Sequence, residues 1–274
     1  MGGAVVPLAF FYPTEAPEQI QRVGRYEIRV AADAPPAGSD LKLVVISHGQ
    51  GGSPWSHRDL ARGLAQRGWV AALVEHPGDN RSDGSLTGTA ANLAGRPRHL
   101  SLAIDAAFAH PVIGPRLGRG TVGVVGHSMG GYSALALAGG RPWTGTYDTP
   151  HGRPAPVDVK ADDRVGALVL LAPATPWFLR EGSLQEVRVP VLMWTGDTDV
   201  VTPAWHAEIV LGGTGAAVEH RVEAGAGHFS FQSVFPPALT CPEFAPSQDP
   251  EGFNRPAFQE RLLEGVDAFL RRAL

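Results

Sequence analysis

From residue 41 onward, short and almost continuously apolar runs alternate with stretches in which apolar positions recur every three or four residues. The runs are "LKLVVISHG" (41–49), "WVAALVEHPG" (69–78), "TVGVVGHS" (121–128), "GALVLLAPA" (166–174) and "VPVLMWTGD" (189–197), and the more polar "AVEHRVEAGAGH" (217–228) reads as the last strand and its loop. Runs this short, rich in β-branched residues and closed by glycine or polar residues, predict strands buried on both faces. Two earlier segments, "VVPLAFFYP" (5–13) and "RYEIRVAA" (25–32), also read as strands, in a hairpin or a meander.

Between the runs lie helix patterns. The first has Ser53 as cap, Pro54 at its first position and Gly68 as its stop, with Leu60 and Leu64 one turn apart. "RHLSLAIDAAFAH" (98–110) places Leu100, Ile104 and Phe108 on one face. "GGYSALALAG" follows Ser128, and Thr202 is expected to cap a helix that begins at Pro203. The last helix, "RPAFQERLLEGVDAFLRRAL", buries Phe258, Leu262, Val266 and Phe269. Strand and helix in regular alternation predict an α/β fold. It has a mostly parallel central sheet of about eight strands with helices on both faces. With no internal repeat and no low-complexity linker, residues 1–274 read as a single domain. The Pro- and Gly-rich stretches 140–163 and 229–256 read as loop insertions on it.

Composition narrows the classes without choosing among them. The chain has 274 residues, 43% of them hydrophobic, enough for a sizeable core. The net charge of -4 carries no block of like sign, which argues against nucleic acid or an anionic membrane as partner. No run approaches the roughly 18 apolar residues of a membrane span, and the N-terminus lacks the parts of a secretory signal. The expectation is a cytoplasmic protein, a monomer or small homo-oligomer. The single Cys241 permits neither an intramolecular disulfide nor a cysteine metal site, and it reads as a bystander thiol. No metal-ligand spacing, Walker pattern or dinucleotide glycine pattern is present, so no metal and no cofactor is expected.

The chemistry concentrates where strands end, which is where open parallel sheets place their sites. Gly126-His127-Ser128-Met129-Gly130 sits between a strand and a helix. Glycines two before and two after a serine leave room for a strained turn that holds the hydroxyl out as a nucleophile. "SHGQGGS" (47–53) closes an earlier strand. An oxyanion requires two backbone N–H donors aimed at one point, and Gln50 and Met129 are the candidates. His48 reads as a structural hydrogen-bonder.

In "MWTGDTDVVTP" (193–203) the candidate acid is Asp199, with Asp197 as the alternative. In "GAGHFSF" (225–231) the candidate base is His228. The chain order Ser128, Asp199, His228 fits a serine-histidine-aspartate triad. His228 would take the Ser128 proton and return it to the leaving group, while Asp199 fixes the imidazole tautomer. Trp55, Trp177, Phe178, Trp205, Phe229 and Phe231 follow sheet strands and are candidates for an acyl or alcohol pocket or for the core. Asp79, Asn80 and Arg81 either rim that pocket or form turns.

These segments together resemble the α/β-hydrolase superfamily over nearly the whole chain. The segment "SHGQGGSPWSHRDLARGLAQRGWVAALVEHPGDNR" and the stretches "VGVVGHSMGGYSALALAG", "ALVLLAPA", "GDTDVVTP" and "GAGHFSF" are similar to bacterial predicted dienelactone hydrolases, which are akin to platelet-activating-factor acetylhydrolases. The resemblance implies a serine esterase acting on a small-molecule ester with a small or short acyl group, with Ser128, Asp199 and His228 as triad and Gln50 and Met129 as oxyanion donors. True dienelactone hydrolases carry cysteine at the elbow, so serine favours plain ester hydrolysis. "GHSMGG" and "GDTDVVTP" are also similar to cutinases and polyester hydrolases. Thioesterase, amidase or acyltransferase activity on the same triad, and a non-catalytic binding protein of this fold, are the remaining alternatives.

Overall fold

A computed structural model describes residues 5–149 and 151–274. Seven strands form one sheet: β1 Leu8–Phe11, β4 Lys42–Ser47, β5 Trp69–Val74, β6 Val122–His127, β7 Val165–Leu171, β8 Val191–Gly196 and β9 Val218–Glu223. Their order is β1-β5-β4-β6-β7-β8-β9. β1 runs antiparallel to β5, and every other pairing is parallel.

The early hairpin differs from the sequence expectation. The segment 25–32 does not pair with 5–13. It forms β3, Tyr26–Val30, which pairs with β2, Gln19–Val23, in a separate two-stranded sheet, while β1 closes the edge of the main sheet. "QIQRV" was hidden because only Ile20 and Val23 are apolar in it, and Ile20 is exposed.

Each inner strand feeds two cores, which explains its unbroken apolar sequence. Val45, Ala72, Val124 and Leu168 pack on α2 Ala90–Ala109, α3 Met129–Leu137 and α4 Trp205–Gly213. Val44, Ala71, Val125 and Val169 pack on α1 Arg58–Ala65 and α5 Arg255–Ala273. The predicted α5 stripe of Phe258, Leu262, Val266 and Phe269 is buried. Along α2, Leu100, Ile104 and Ala107 are buried, whereas Phe108 is 37% exposed.

α2 begins eight residues before the predicted start, at a Thr89 cap whose Oγ1 accepts from the Asn92 N–H at 3.2 Å. Pro97 lies inside it. A proline there cannot donate to the Leu93 carbonyl one turn back. The buried Tyr132 hydroxyl donates to that carbonyl instead, at 3.0 Å, so the carbonyl is satisfied. The helix before α1 opens as a 3-10 turn, Pro54–His57. α4 begins after Ala204, not at Pro203 behind a Thr202 cap.

From β4 the chain moves first to β5 on one side and later to β6 on the other. Such a reversal opens a crevice at the carboxyl ends of β4 and β6. The loop 48–52 and Ser128 both leave the sheet at this point. Among the described residues no helix is long and apolar enough to cross a membrane.

Candidate active site

Ser128 joins β6 to α3 with φ 54° and ψ -119°. That is a sparsely populated conformation for a residue with a side chain and costs on the order of 1–3 kcal/mol. Three glycines make the turn possible. A Cβ on Gly126 would lie 2.2 Å from the Gly130 carbonyl oxygen, one on Gly130 would lie 2.2 Å from the Ser47 carbonyl oxygen, and one on Gly131 would meet Pro173 at 2.6 Å. The turn is tied on both sides: the Ser128 N–H donates to the Leu171 carbonyl at 3.0 Å, and its carbonyl accepts from Ala174 at 2.9 Å.

His228 and Asp199 come together at 2.8 Å, Nδ1 to Oδ2, and both are buried. A carboxylate facing Nδ1 fixes the proton there and leaves Nε2 as the acceptor. Oδ1 of Asp199 accepts from the Val201 and Thr202 amides at 2.8 Å each, and Oδ2 accepts from the Thr202 hydroxyl at 2.7 Å. Burial raises the Asp199 carboxyl, but His228 and these donors outweigh it and hold it at about 2.

Thr202 therefore holds the Asp199 carboxylate and does not cap α4. Its place just before Pro203 gave the wrong signal. Asp197 lies at the turn, exposed, accepting from the Gly225 amide at 2.7 Å.

His127, beside the serine, had no assigned role in the sequence. Its Nε2 faces the His228 carbonyl oxygen at 2.9 Å, so that nitrogen carries the proton and donates. The residue before Ser128 thus holds the backbone of the residue carrying the imidazole. Among the described residues Ser128 Oγ makes no hydrogen bond to His228 or to any other group. In unliganded sites that contact is often long and tightens with substrate.

The Met129 amide is the first of α3 and has no acceptor one turn back. Among the described residues neither it nor the Gln50 amide donates to a protein group. Gln50 is exposed at the tip of its loop, and a Cβ on the neighbouring Gly49 would lie 3.2 Å from the Ser128 Cβ. His48 is buried: its Nε2 accepts from the His76 amide at 3.3 Å and its Nδ1 faces the Gly49 carbonyl at 2.6 Å.

The candidate aromatics separate. Phe229 stands edge-on to His228 with centroids 5.2 Å apart. Trp205 is exposed and stacked on His206, whose Nδ1 accepts from the Thr175 amide at 3.0 Å. Trp177 donates to Asp148 at 2.8 Å, and Phe178 stacks on Tyr132 inside the core. Phe231 is buried against Phe258. Trp55 lines a groove of about 600 Å³ beside β1 and α1, together with Phe11, Ile28 and Gln66. Neither Ser128, Asp199 nor His228 borders that groove.

Asp79, read as a rim or turn residue, is fully buried in an ion pair with Arg96. Arg96 lies in the part of α2 that the sequence pattern did not reveal.

Buried neutral histidines surround the site. Burial lowers His48 to about 3 and His57 to about 4, and holds His76 and His127 well below 6.5. In the unfolded chain they protonate near 6.5. Between those values the unfolded state binds more protons, so stability falls as pH drops, by at most about 1.4 kcal/mol per histidine per pH unit. Asp199 adds a later loss as pH falls from about 4 toward 2, because its folded-state value is depressed. The melting temperature is expected to drop steeply from pH 6.5 to pH 4. Circular dichroism melts across pH 4–8 check this, and a Tm that rises toward pH 4 contradicts it.

The sequence profile of the α/β-hydrolase fold matches residues 42–179, half of the chain. The chain belongs to that family. Among solved structures it is similar to a dienelactone hydrolase from Anabaena variabilis ATCC 29413. The two share 19% identity over 94% of this chain and 98% of that one, with a TM-score of 0.57, a likeness of fold. No curated protein matches the chain.

Proposed function

We propose that this protein is a serine carboxylesterase that cleaves esters of small or short-chain acyl groups through an acyl-enzyme. The observation that carries the reading is the buried His228–Asp199 pair at 2.8 Å, beside a serine held at φ 54° between strand and helix. Strain at one serine and a carboxylate-fixed imidazole in the adjoining loop are costs that nucleophilic catalysis explains.

In this reading Ser128 Oγ attacks the ester carbonyl carbon while His228 Nε2 takes its proton. The electron pair moves to the carbonyl oxygen, which the Gln50 and Met129 amides stabilise. When the carbonyl re-forms, the alcohol leaves with the proton from His228. Water, activated by the same imidazole, then cleaves the acyl-serine and restores the hydroxyl. Asp199 stays ionised and stabilises the imidazolium. The short-acyl preference rests on the likeness of the loops at 47–53, 126–131 and 225–231 to small-ester hydrolases.

Rates on p-nitrophenyl esters from acetate to dodecanoate, on acyl-CoA thioesters, on p-nitroanilides and on polyester film test the reading. The expected result is the highest kcat/KM on acetate to butyrate. A higher value on acyl-CoA, on long-chain esters or on polyester would assign the site to the corresponding alternative.

A further inference from the structure

The loop that carries Gln50 has no regular structure to hold it, yet an oxyanion donor is effective only if fixed before the charge develops. A buried ion pair supplies the fixing. Arg96 Nη1 donates to Asp79 Oδ2 at 2.7 Å, and both side chains are fully buried. Arg96 Nη2 donates to the His48 carbonyl oxygen. Asp79 Oδ1 accepts from the Gly51 N–H at 3.2 Å. The two contacts fall on the peptide groups before and after the Gly49–Gln50 peptide, which owns the Gln50 N–H.

The same guanidinium reaches the second donor. Arg96 Nε donates to Ser133 Oγ at 3.0 Å, and that hydroxyl donates to the Met129 carbonyl at 3.0 Å. The Met129 carbonyl belongs to the peptide following the one whose N–H faces the site.

The remaining valences of the pair are used to hold it still. Thr87 Oγ1 donates to Asp79 Oδ1 at 3.0 Å and Asn92 Nδ2 to Oδ2 at 2.9 Å. Arg96 Nη2 also lies 3.5 Å from Ser47 Oγ, which contacts His76 Nε2 at 2.8 Å. Burial lowers the Arg96 guanidinium to about 10, which leaves it charged at neutral pH. Burial alone would raise the Asp79 carboxyl, but Arg96, Asn92, Thr87 and the Gly51 amide together hold it below the usual range.

We infer that Arg96 and Asp79 are positioning residues for the oxyanion hole, clamping the Gln50 and Met129 donors to one rigid side-chain pair. The inference rests on the esterase reading above. A buried ion pair contributes little net stability compared with packed apolar side chains of the same size. Its consequence here lies in what it connects. Arg96→Lys keeps the charge but loses the planar fork that reaches Asp79, His48 and Ser133 at once.

The test is steady-state and pre-steady-state kinetics of Arg96→Lys and Asp79→Asn on p-nitrophenyl butyrate. Exhaustive labelling of the serine with an alkyl fluorophosphonate counts competent sites, so rates are expressed per active site. Misplacing a donor by about 1 Å costs about 10²-fold. The expected result is a fall of that order in kcat with little change in KM, and a matching rise in Ki for butylboronic acid, whose tetrahedral serine adduct carries the anion. Ser133→Ala, a small change cutting only the Met129 branch, is expected to show the same pattern more weakly and decides the matter if the charged variants do not fold. Variants with unchanged kcat and Ki per site overturn the inference and leave the esterase reading standing. A wild-type enzyme without turnover on the ester overturns both.

Discussion

Ser128→Ala is expected to lower kcat/KM on p-nitrophenyl butyrate by about 10³-fold or more, because the members of a nucleophilic triad act as a unit. The variant removes one oxygen from a half-buried position and leaves the backbone turn in place. Its fold should survive, and relief from a φ of 54° is not part of the change because alanine meets the same strain. A melting curve close to the wild type, together with the rate loss, separates chemistry from stability. Retention of more than a tenth of the rate would remove Ser128 from the mechanism.

Asp199→Asn is expected to cost on the order of 10³- to 10⁴-fold in kcat, by changing a tautomer. The Val201 and Thr202 amides both donate at 2.8 Å to one oxygen of this side chain. They select the carboxamide oxygen for that place, which turns the new NH2 toward His228 Nδ1. Nδ1 must then accept, the imidazole proton moves to Nε2, and the base is lost from the side that faces the serine. Asp197→Asn is the control. Its carboxylate serves the Gly225 amide at the turn, and its rate should stay within about threefold of the wild type, as expected for an exposed polar change. If the two variants lose activity equally, the choice between the aspartates is wrong.

Much of this arrangement is legible in the sequence, for a physical reason. Strands buried on both faces must be apolar throughout, so where each run stops and glycine or polar residues begin is where the sheet edge lies. "VVGHSMGG", "SHGQGG" and "GDTDVV" announce themselves in that way. What stayed hidden depends on contacts between distant residues. Gly95 and Pro97 interrupt the helical period of α2, and only the Tyr132 hydroxyl, bonded to the Leu93 carbonyl, shows how the helix tolerates the proline. Losing those first turns also conceals Arg96. Without Arg96, Asp79 is one more polar residue in "HPGDNRSDG", a composition that reads as a turn. Thr202 misled for a related reason: a threonine before proline fits a helix cap, but its hydroxyl reaches Asp199. The early hairpin failed because β2 is too polar to show a strand period, and its pairing with β3 leaves most of it exposed.

That Ser128 forms the covalent intermediate is tested by mass spectrometry after treatment with an alkyl fluorophosphonate. One phosphonyl group is expected, on the peptide that carries Ser128, gained in proportion to the loss of esterase activity. Its gain should be abolished in His228→Ala, whose serine has lost the base that activates it. Full inactivation with the phosphonyl group on any other residue, or unchanged activity after complete labelling of Ser128, would contradict it.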